Sequence, residues 1–203
     1  MGAQDHWQNV YQTKSHASVS WYQAEAKPSL AAIGKLQLGG PVSFIDVGGG
    51  ASPLVDALLQ QSWGDVSVLD IAESALTVSK TRLGLTAQRV DWIVADILHW
   101  QPQRRYHLWH DRAVYHFLTE PSQRKAYQQV LEASLAMGGH LIMATFAPDG
   151  PEKCSGLPVQ RHDSSSLERE LGSHFRVLDH WRQAHITPGS NTQNFNWCLF
   201  QRV

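Results

Sequence analysis

One stretch limits this chain more than any other: Val42-Ser43-Phe44-Ile45-Asp46-Val47-Gly48-Gly49-Gly50-Ala51-Ser52-Pro53, an apolar run that ends on an acid and then three glycines. The run reads as a buried parallel strand and the glycines as an abrupt turn into a helix. Glycines at such a turn remove side chains and permit positive φ, so a ligand can lie against backbone N–H groups and the helix N-terminus behind them. The next strand-like run, Val66-Ser67-Val68-Leu69-Asp70, also ends in an acid, 24 residues after Asp46. In a doubly wound sheet that position carries a carboxylate that faces a ribose. Two acids and a glycine loop therefore share one crevice.

Two cofactor classes use such a crevice. A dinucleotide needs G-x-G-x-x-G, so that a pyrophosphate can approach and the helix can pack closely. Gly48 and Gly50 fit the first two positions, but Pro53 stands at the third. Asp46, two residues before the first glycine, repels a pyrophosphate and suits a ligand with an ammonium and a sulfonium. Here the chain resembles the class I S-adenosylmethionine-dependent methyltransferases, whose first motif is a strand, an acid and a D-x-G-x-G type loop. The resemblance continues to Asp70, and to Asp96 after Val90-Asp91-Trp92-Ile93-Val94-Ala95. It implies S-adenosyl-L-methionine as cofactor, held by Asp46, Gly48, Gly50, Asp70, Ile71, Asp96 and Ile97, with Asp96 at the adenine. It also implies an α/β, Rossmann-like, seven-stranded and mostly parallel sheet with an antiparallel last strand and helices on both faces. A nicotinamide-dependent oxidoreductase and a non-catalytic cofactor-binding protein are the alternatives.

The rest of the chain is read in the same terms. Helices are expected over residues 28–36, stopped by Gly39-Gly40-Pro41, and over 53–61, with Ser52 as N-cap and Pro53 as first helical residue. Further helices are expected over 74–83, closed by Gly84, over 121–135, ended by Met137-Gly138-Gly139, and over 165–171. Strands are expected over 91–95, 106–109, 140–146, 175–181 and 195–202. Alternating strands and helices make the sheet parallel at first. Thr187-Pro188-Gly189-Ser190-Asn191 reads instead as a hairpin-like connection between the last two strands, where a nicotinamide dehydrogenase would add another helical crossover.

A chain of 203 residues is expected to be one domain, long enough to bury about 70% of its unfolded surface. The formal net charge of −1 and the low charged fraction give no footprint for nucleic acid or an anionic membrane. No apolar run approaches a membrane span, and Met1 to His6 lacks a secretory pattern, so a cytoplasmic location is expected. Only Cys154 and Cys198 occur, with no C-x-x-C spacing, which points to neither disulfides nor a cysteine zinc site. No metal is expected, because His107, His110, His116, His162 and Cys154 lack short paired spacing. Oligomeric state is left open.

Ligands of open α/β sheets sit outside the carboxyl ends of the strands. His110-Asp111-Arg112-Ala113-Val114-Tyr115-His116-Phe117 follows the fourth strand, and in the resembled family this loop faces the methyl group and the substrate. His110, Asp111 and His116 are the candidate bases, if the nucleophile carries a proton. The alternatives are an Asp111–Arg112 ion pair and a packed His116. Arg112 and Cys154 are substrate-side candidates, as are Trp7 and Tyr11, which share a helix face in an N-terminal arm over residues 1–27. That arm either fastens itself to the domain or folds over the cofactor's methionine end, where similar W-x-x-x-Y openings lie. The opening resembles small lysine methyltransferases of elongation factors and citrate synthase, but His110-Asp111-Arg112-Ala113-Val114 replaces their D-K-G-T. No N-P-P-Y run is present. The acceptor is a small molecule or a protein side chain.

Overall fold

Strands that are apolar on both sides stay dry only when helices cover both faces of their sheet. The computed structural model describes residues 2–39 and 41–203, and it builds such a sheet. Its strands are β1 (Phe44–Val47), β2 (Val66–Asp70), β3 (Val90–Val94), β4 (Tyr106–Arg112), β5 (Leu135–Phe146), β6 (Phe175–Ile186) and β7 (Thr192–Arg202). They pair as one seven-stranded sheet in the order β3-β2-β1-β4-β5-β7-β6. The first five are parallel, and β7 inserts antiparallel between β5 and β6. The expected fold class stands, including the hairpin in place of a last crossover.

The helices are α1 (Ala3–Thr13), α2 (Lys27–Lys35), α3 (Leu54–Gln60), α4 (Glu73–Leu83), α5 (Pro121–Ser134) and α6 (Ser164–Leu171). Successive strand residues point to opposite faces, and this parity sorts the core in two. Phe44, Val66, Val68, Leu108 and Ile142 pack with α2 and α3 on one face. Ile45, Leu69, Trp109, Leu141 and Met143 pack with α5 and α6 on the other.

Several boundaries depart from the sequence reading. β4 runs past Trp109 to Arg112, so His110, Asp111 and Arg112 are strand residues rather than a loop. Their backbones continue the ladders to Asp46 and Val47 of β1 and to Ile142, Met143 and Ala144 of β5, and their polar side chains find buried partners. Met137-Gly138-Gly139 does not stop α5, which passes directly into β5 at the buried Leu135. The glycines fall instead at a register irregularity between Tyr106 and Leu108, where Gly138 takes φ +73°. Pro53 is the N-cap of α3 rather than its first residue, and Ser52 Oγ accepts from the Leu54 amide. α2 ends at Lys35, and Gln37 turns the chain at φ +45°. Gly40 of the expected stop, and Met1, lie outside the described residues. β6 and β7 are longer than expected because each extends the other's ladder out to Ile186 and Thr192.

The glycine turn after β1 behaves as expected. The Gly48 amide donates to Leu69 O at 2.7 Å, tying the turn to β2. Gly48 sits at φ +69°, and a Cβ there would lie 2.1 Å from Val114 Cγ2. Gly48→Ala combines a strained backbone with overpacking, and is expected to cost about 1–3 kcal/mol. A urea titration checks it; an unchanged midpoint would mean that the β1 turn and the Val114 segment separate freely.

Candidate functional site

The carboxyl ends of β1, β2, β3 and β4 converge on a cavity of about 340 Å³. Asp70 closes β2 inside it, 7% exposed, and its Oδ1 accepts from the Ala72 amide at 2.8 Å. Burial pushes its carboxyl up to about 7; the Ala72 amide opposes the rise and the charge of Asp46 adds to it. Gly50 explains how the carboxylate fits, since a Cβ there would lie 2.7 Å from Asp70 Oδ2. Ile71, Asp96 and Ile97 line the same cavity. Asp96 accepts from the Leu98 amide at 2.9 Å, and its other oxygen lies 3.2 Å from His99 Nδ1.

Asp46 faces a second, smaller cavity of about 60 Å³. It is the register partner of His110 in the adjacent strand, and the two are on the same face. His110 Nδ1 lies 2.7 Å from Asp46 Oδ1, and its Nε2 lies 2.9 Å from Ser29 Oγ of α2. All three are buried. Gly48 lines both cavities, whereas Gly50 lines neither.

The N-terminal arm walls both cavities through Tyr11 and Trp21. α1 lies against α4, where the Ser74 amide and hydroxyl donate to Gln8 Oε1 and Gln8 O, each at 3.2 Å. Trp7 packs edge-on against Phe117 at 5.1 Å and against Trp21 at 5.5 Å. Trp21 Nε1 donates to the Tyr11 oxygen at 3.1 Å, and burial, together with the charge of Asp70, pushes the Tyr11 phenol well up. Trp7 and Tyr11 therefore both fasten the arm and line the larger cavity. Trp21, whose aromatic signal was visible in the arm, belongs with them. Ser29 carried no signal beyond a helix start, because its partner is 81 residues away.

Arg112 lines both cavities. Its Nη1 donates to Trp21 O at 3.2 Å, its guanidinium carbon stands 5.2 Å from the Phe195 ring centre, and its buried Nη2 has no partner among the described residues. Burial pulls its pKa down to about 10, so it stays charged at neutral pH. Cys154 lines the larger cavity, and burial pushes its thiol up to about 11.

Asp111 and His116 lie elsewhere. Strand parity turns Asp111 to the opposite face, where it accepts from Tyr127 Oη at 2.6 Å, from the Val114 amide at 2.8 Å and from the Tyr115 amide at 3.2 Å. Burial pushes its carboxyl up to about 6 against the pull of those bonds. It makes no ion pair with Arg112 among the described residues. His116 accepts from the Phe146 amide at 3.3 Å, and burial pulls its pKa down to about 3. Neither residue lines either of these two cavities. No group of three or more His, Cys, Asp or Glu among the described residues could hold a metal ion.

No protein-family model matches the chain, and no curated protein matches it. Solved structures do. A SAM-dependent methyltransferase from Anabaena variabilis ATCC 29413 superposes with a TM-score of 0.78 over 100% of this chain and 96% of that one, at 15% identity. Burkholderia thailandensis 1,6-didemethyltoxoflavin-N1-methyltransferase, with bound 1,6-didemethyltoxoflavin and S-adenosylhomocysteine, gives 0.68 over 99% and 84% at 18% identity. The glycopeptide N-methyltransferase MtfA complexed with S-adenosyl-L-methionine gives 0.67 over 91% and 97% at 12% identity. At these identities the likeness is one of fold.

The raised Asp70 carboxyl carries a linkage with a defined sign. Between about pH 4 and 7 the folded protein holds a proton there that the unfolded chain has lost. The contribution is fully present below that window and is lost as pH rises through about 7. Wild type should therefore lose stability relative to Asp70→Asn across the window. Urea titrations of both proteins at its two ends check this, and a constant gap would mean that Asp70 titrates as an ordinary carboxylate.

Proposed function

We propose that this chain binds S-adenosylmethionine and transfers its methyl group to a small molecule. The observation that carries the reading is Asp70, a buried acid at the end of β2 that faces the larger cavity and makes no ion pair among the described residues. Ribose hydroxyls would donate to that carboxylate and relieve its burial. Ile71 and Ile97 would flank the adenine, and Asp96 would accept from its amino group. Gly48 gives the ligand close access to backbone where the two cavities meet, and Gly50 leaves the space that Asp70 occupies. Asp46, on the polar smaller cavity, would face the ammonium of the methionyl end. When bound, the cofactor supplies an electrophilic methyl group on a sulfonium.

The protein's own part is alignment and exclusion of water. α1 and the Trp7, Tyr11 and Trp21 side chains close the crevice. His110 holds Asp46 in place, and Asp111 fixes the turn from β4 to Tyr115, so both are positioning residues; His116, neutral and packed, belongs with them. The fold likeness to methyltransferases solved with S-adenosylmethionine or S-adenosylhomocysteine supports the reading. We place the enzyme in the cytoplasm as a domain spanning residues 1–203: no helix of the described residues is long and apolar enough to cross a membrane, and its two cysteines are free and buried.

Calorimetry tests the proposal. S-adenosylhomocysteine is expected to bind and NAD is not, and Asp70→Ala should weaken S-adenosylhomocysteine roughly ten- to a hundredfold, the worth of a charge-assisted pair of hydrogen bonds. Binding of NAD in preference, or unchanged affinity in a folded Asp70→Ala protein, would overturn it.

A further inference from the structure

The glycine turn after β1 does not hold its own shape. Gly48 and Gly50 sit at φ +69° and +39°, a region of backbone in which glycine moves freely. The front half of the turn is tied to β2, where the Gly48 and Gly49 amides both donate to Leu69 O. Its back half is tied by α4. Ala75, Ser79 and Arg82 recur at i, i+4 and i+7, so they share one face of that helix. A Cβ on Gly50 would lie 3.2 Å from Ala75 Cβ, so the small residue lets the turn approach. The buried Ser79 Oγ donates to Gly50 O at 2.7 Å. Arg82 Nη1 donates to Ala51 O at 3.0 Å, and its Nη2 donates to Ser52 O at 2.8 Å. Three successive carbonyls of the turn therefore end on two side chains of one helix. Asp56 of α3 grips the guanidinium as well, accepting from Nε at 2.9 Å and from Nη2 at 2.6 Å.

We propose that Arg82 is a positioning residue for the methionyl end of the cofactor, acting through the glycine turn that it clamps. The inference rests on the S-adenosylmethionine reading above and deepens it. Gly48, Gly49, Ala51, Ser52 and Pro53 line the smaller cavity beside Asp46, and that reading gives this cavity to the amino acid end. Arg82 lines neither cavity, so it reaches the ligand only through the backbone. The planar fork of a guanidinium serves two carbonyls and a carboxylate at once, whereas a lysine ammonium is a point donor. A staple between α3 and α4 needs only the Asp56 pair; the bonds to Ala51 and Ser52 go beyond it. The Arg82 and Asp56 side chains keep 31% and 20% exposure, so the ion pair itself adds little to stability, and its loss is felt in the turn rather than in the fold. The nucleoside half is insulated from the clamp. Arg82 stands about 14 Å along α4 from Glu73, and Asp70 is held by its own strand and by the Ala72 amide.

Calorimetry with two ligands tests this. S-adenosylhomocysteine carries both halves, whereas methylthioadenosine keeps the nucleoside and the sulfur but lacks the amino acid end. Failure of the wild type to bind S-adenosylhomocysteine would overturn the function itself, and this inference with it; every later outcome bears on Arg82 alone. With binding established, Arg82→Met is expected to weaken S-adenosylhomocysteine roughly tenfold while methylthioadenosine stays within about twofold, and Arg82→Lys should recover part of the loss. Asp56→Asn keeps the guanidinium but loosens its grip; it is expected to show the same selectivity at roughly threefold, and it carries the test if Arg82→Met does not fold. Equal loss for both ligands would overturn the inference, by making Arg82 a support of the whole site. Unchanged S-adenosylhomocysteine affinity in whichever variant folds would overturn it too, since the turn would then keep its shape without the clamp.

Discussion

The centre of this molecule is the contact between β1 and β4, the point where strand order reverses and the crevice opens. There a carboxylate and an imidazole occupy paired positions: Asp46 and His110 are register partners, bonded at 2.7 Å, and Ser29 of α2 completes the chain at 2.9 Å. Three buried polar side chains survive in an apolar layer because each engages another. The same contact ties α2 to the sheet and fixes the acid before the glycine turn. Parity then sets the rest, turning Arg112 to the crevice on the same face as His110 and Asp111 to the opposite face.

On that opposite face a second polar group organises the loop. Asp111 accepts from Tyr127, which itself accepts from Trp109 Nε1 at 2.9 Å, and from the amides that begin the Tyr115–Phe117 turn. This network delivers Val114 against Gly48 and Phe117 against Trp7, so it shapes the cavity without lining it. The arm contributes the remaining wall through edge-on aromatic contacts and few hydrogen bonds, an arrangement that can open for a ligand more easily than a strand can. Ligand entry in this account means parting Trp7 and Trp21 from Phe117 and Arg112.

Much of this was legible in the chain. Asp46, the glycines, Asp70 and Asp96 announced themselves because apolar runs ending in acids have few other uses, and the hairpin near Pro188-Gly189 separated this topology from one with a further crossover. The polar end of β4 was not legible. Leu108-Trp109 looked like a strand end because His110, Asp111 and Arg112 are rarely buried, and their partners, Ser29, Asp46, Tyr127 and Trp21, are far away in sequence. For the same reason His110 and Asp111 read as bases in a loop, whereas both lie in β4, His110 bonded to Asp46 and Ser29 and Asp111 to Tyr127 and two amides. The α5–β5 junction misled because Met137-Gly138-Gly139 has the composition of a helix stop, whereas the buried Leu135 starts the strand earlier.

The central claim is that Asp70 is the anchor of a nucleoside held across the ends of β1, β2 and β3. A crystal structure of the protein grown with S-adenosylhomocysteine addresses it most directly. The account predicts both ribose hydroxyls on the Asp70 carboxylate, the adenine between Ile71 and Ile97, and the amino acid end beyond Gly48 towards Asp46. A nucleoside bound elsewhere, or one in this cavity that leaves Asp70 without a ribose contact, would contradict it.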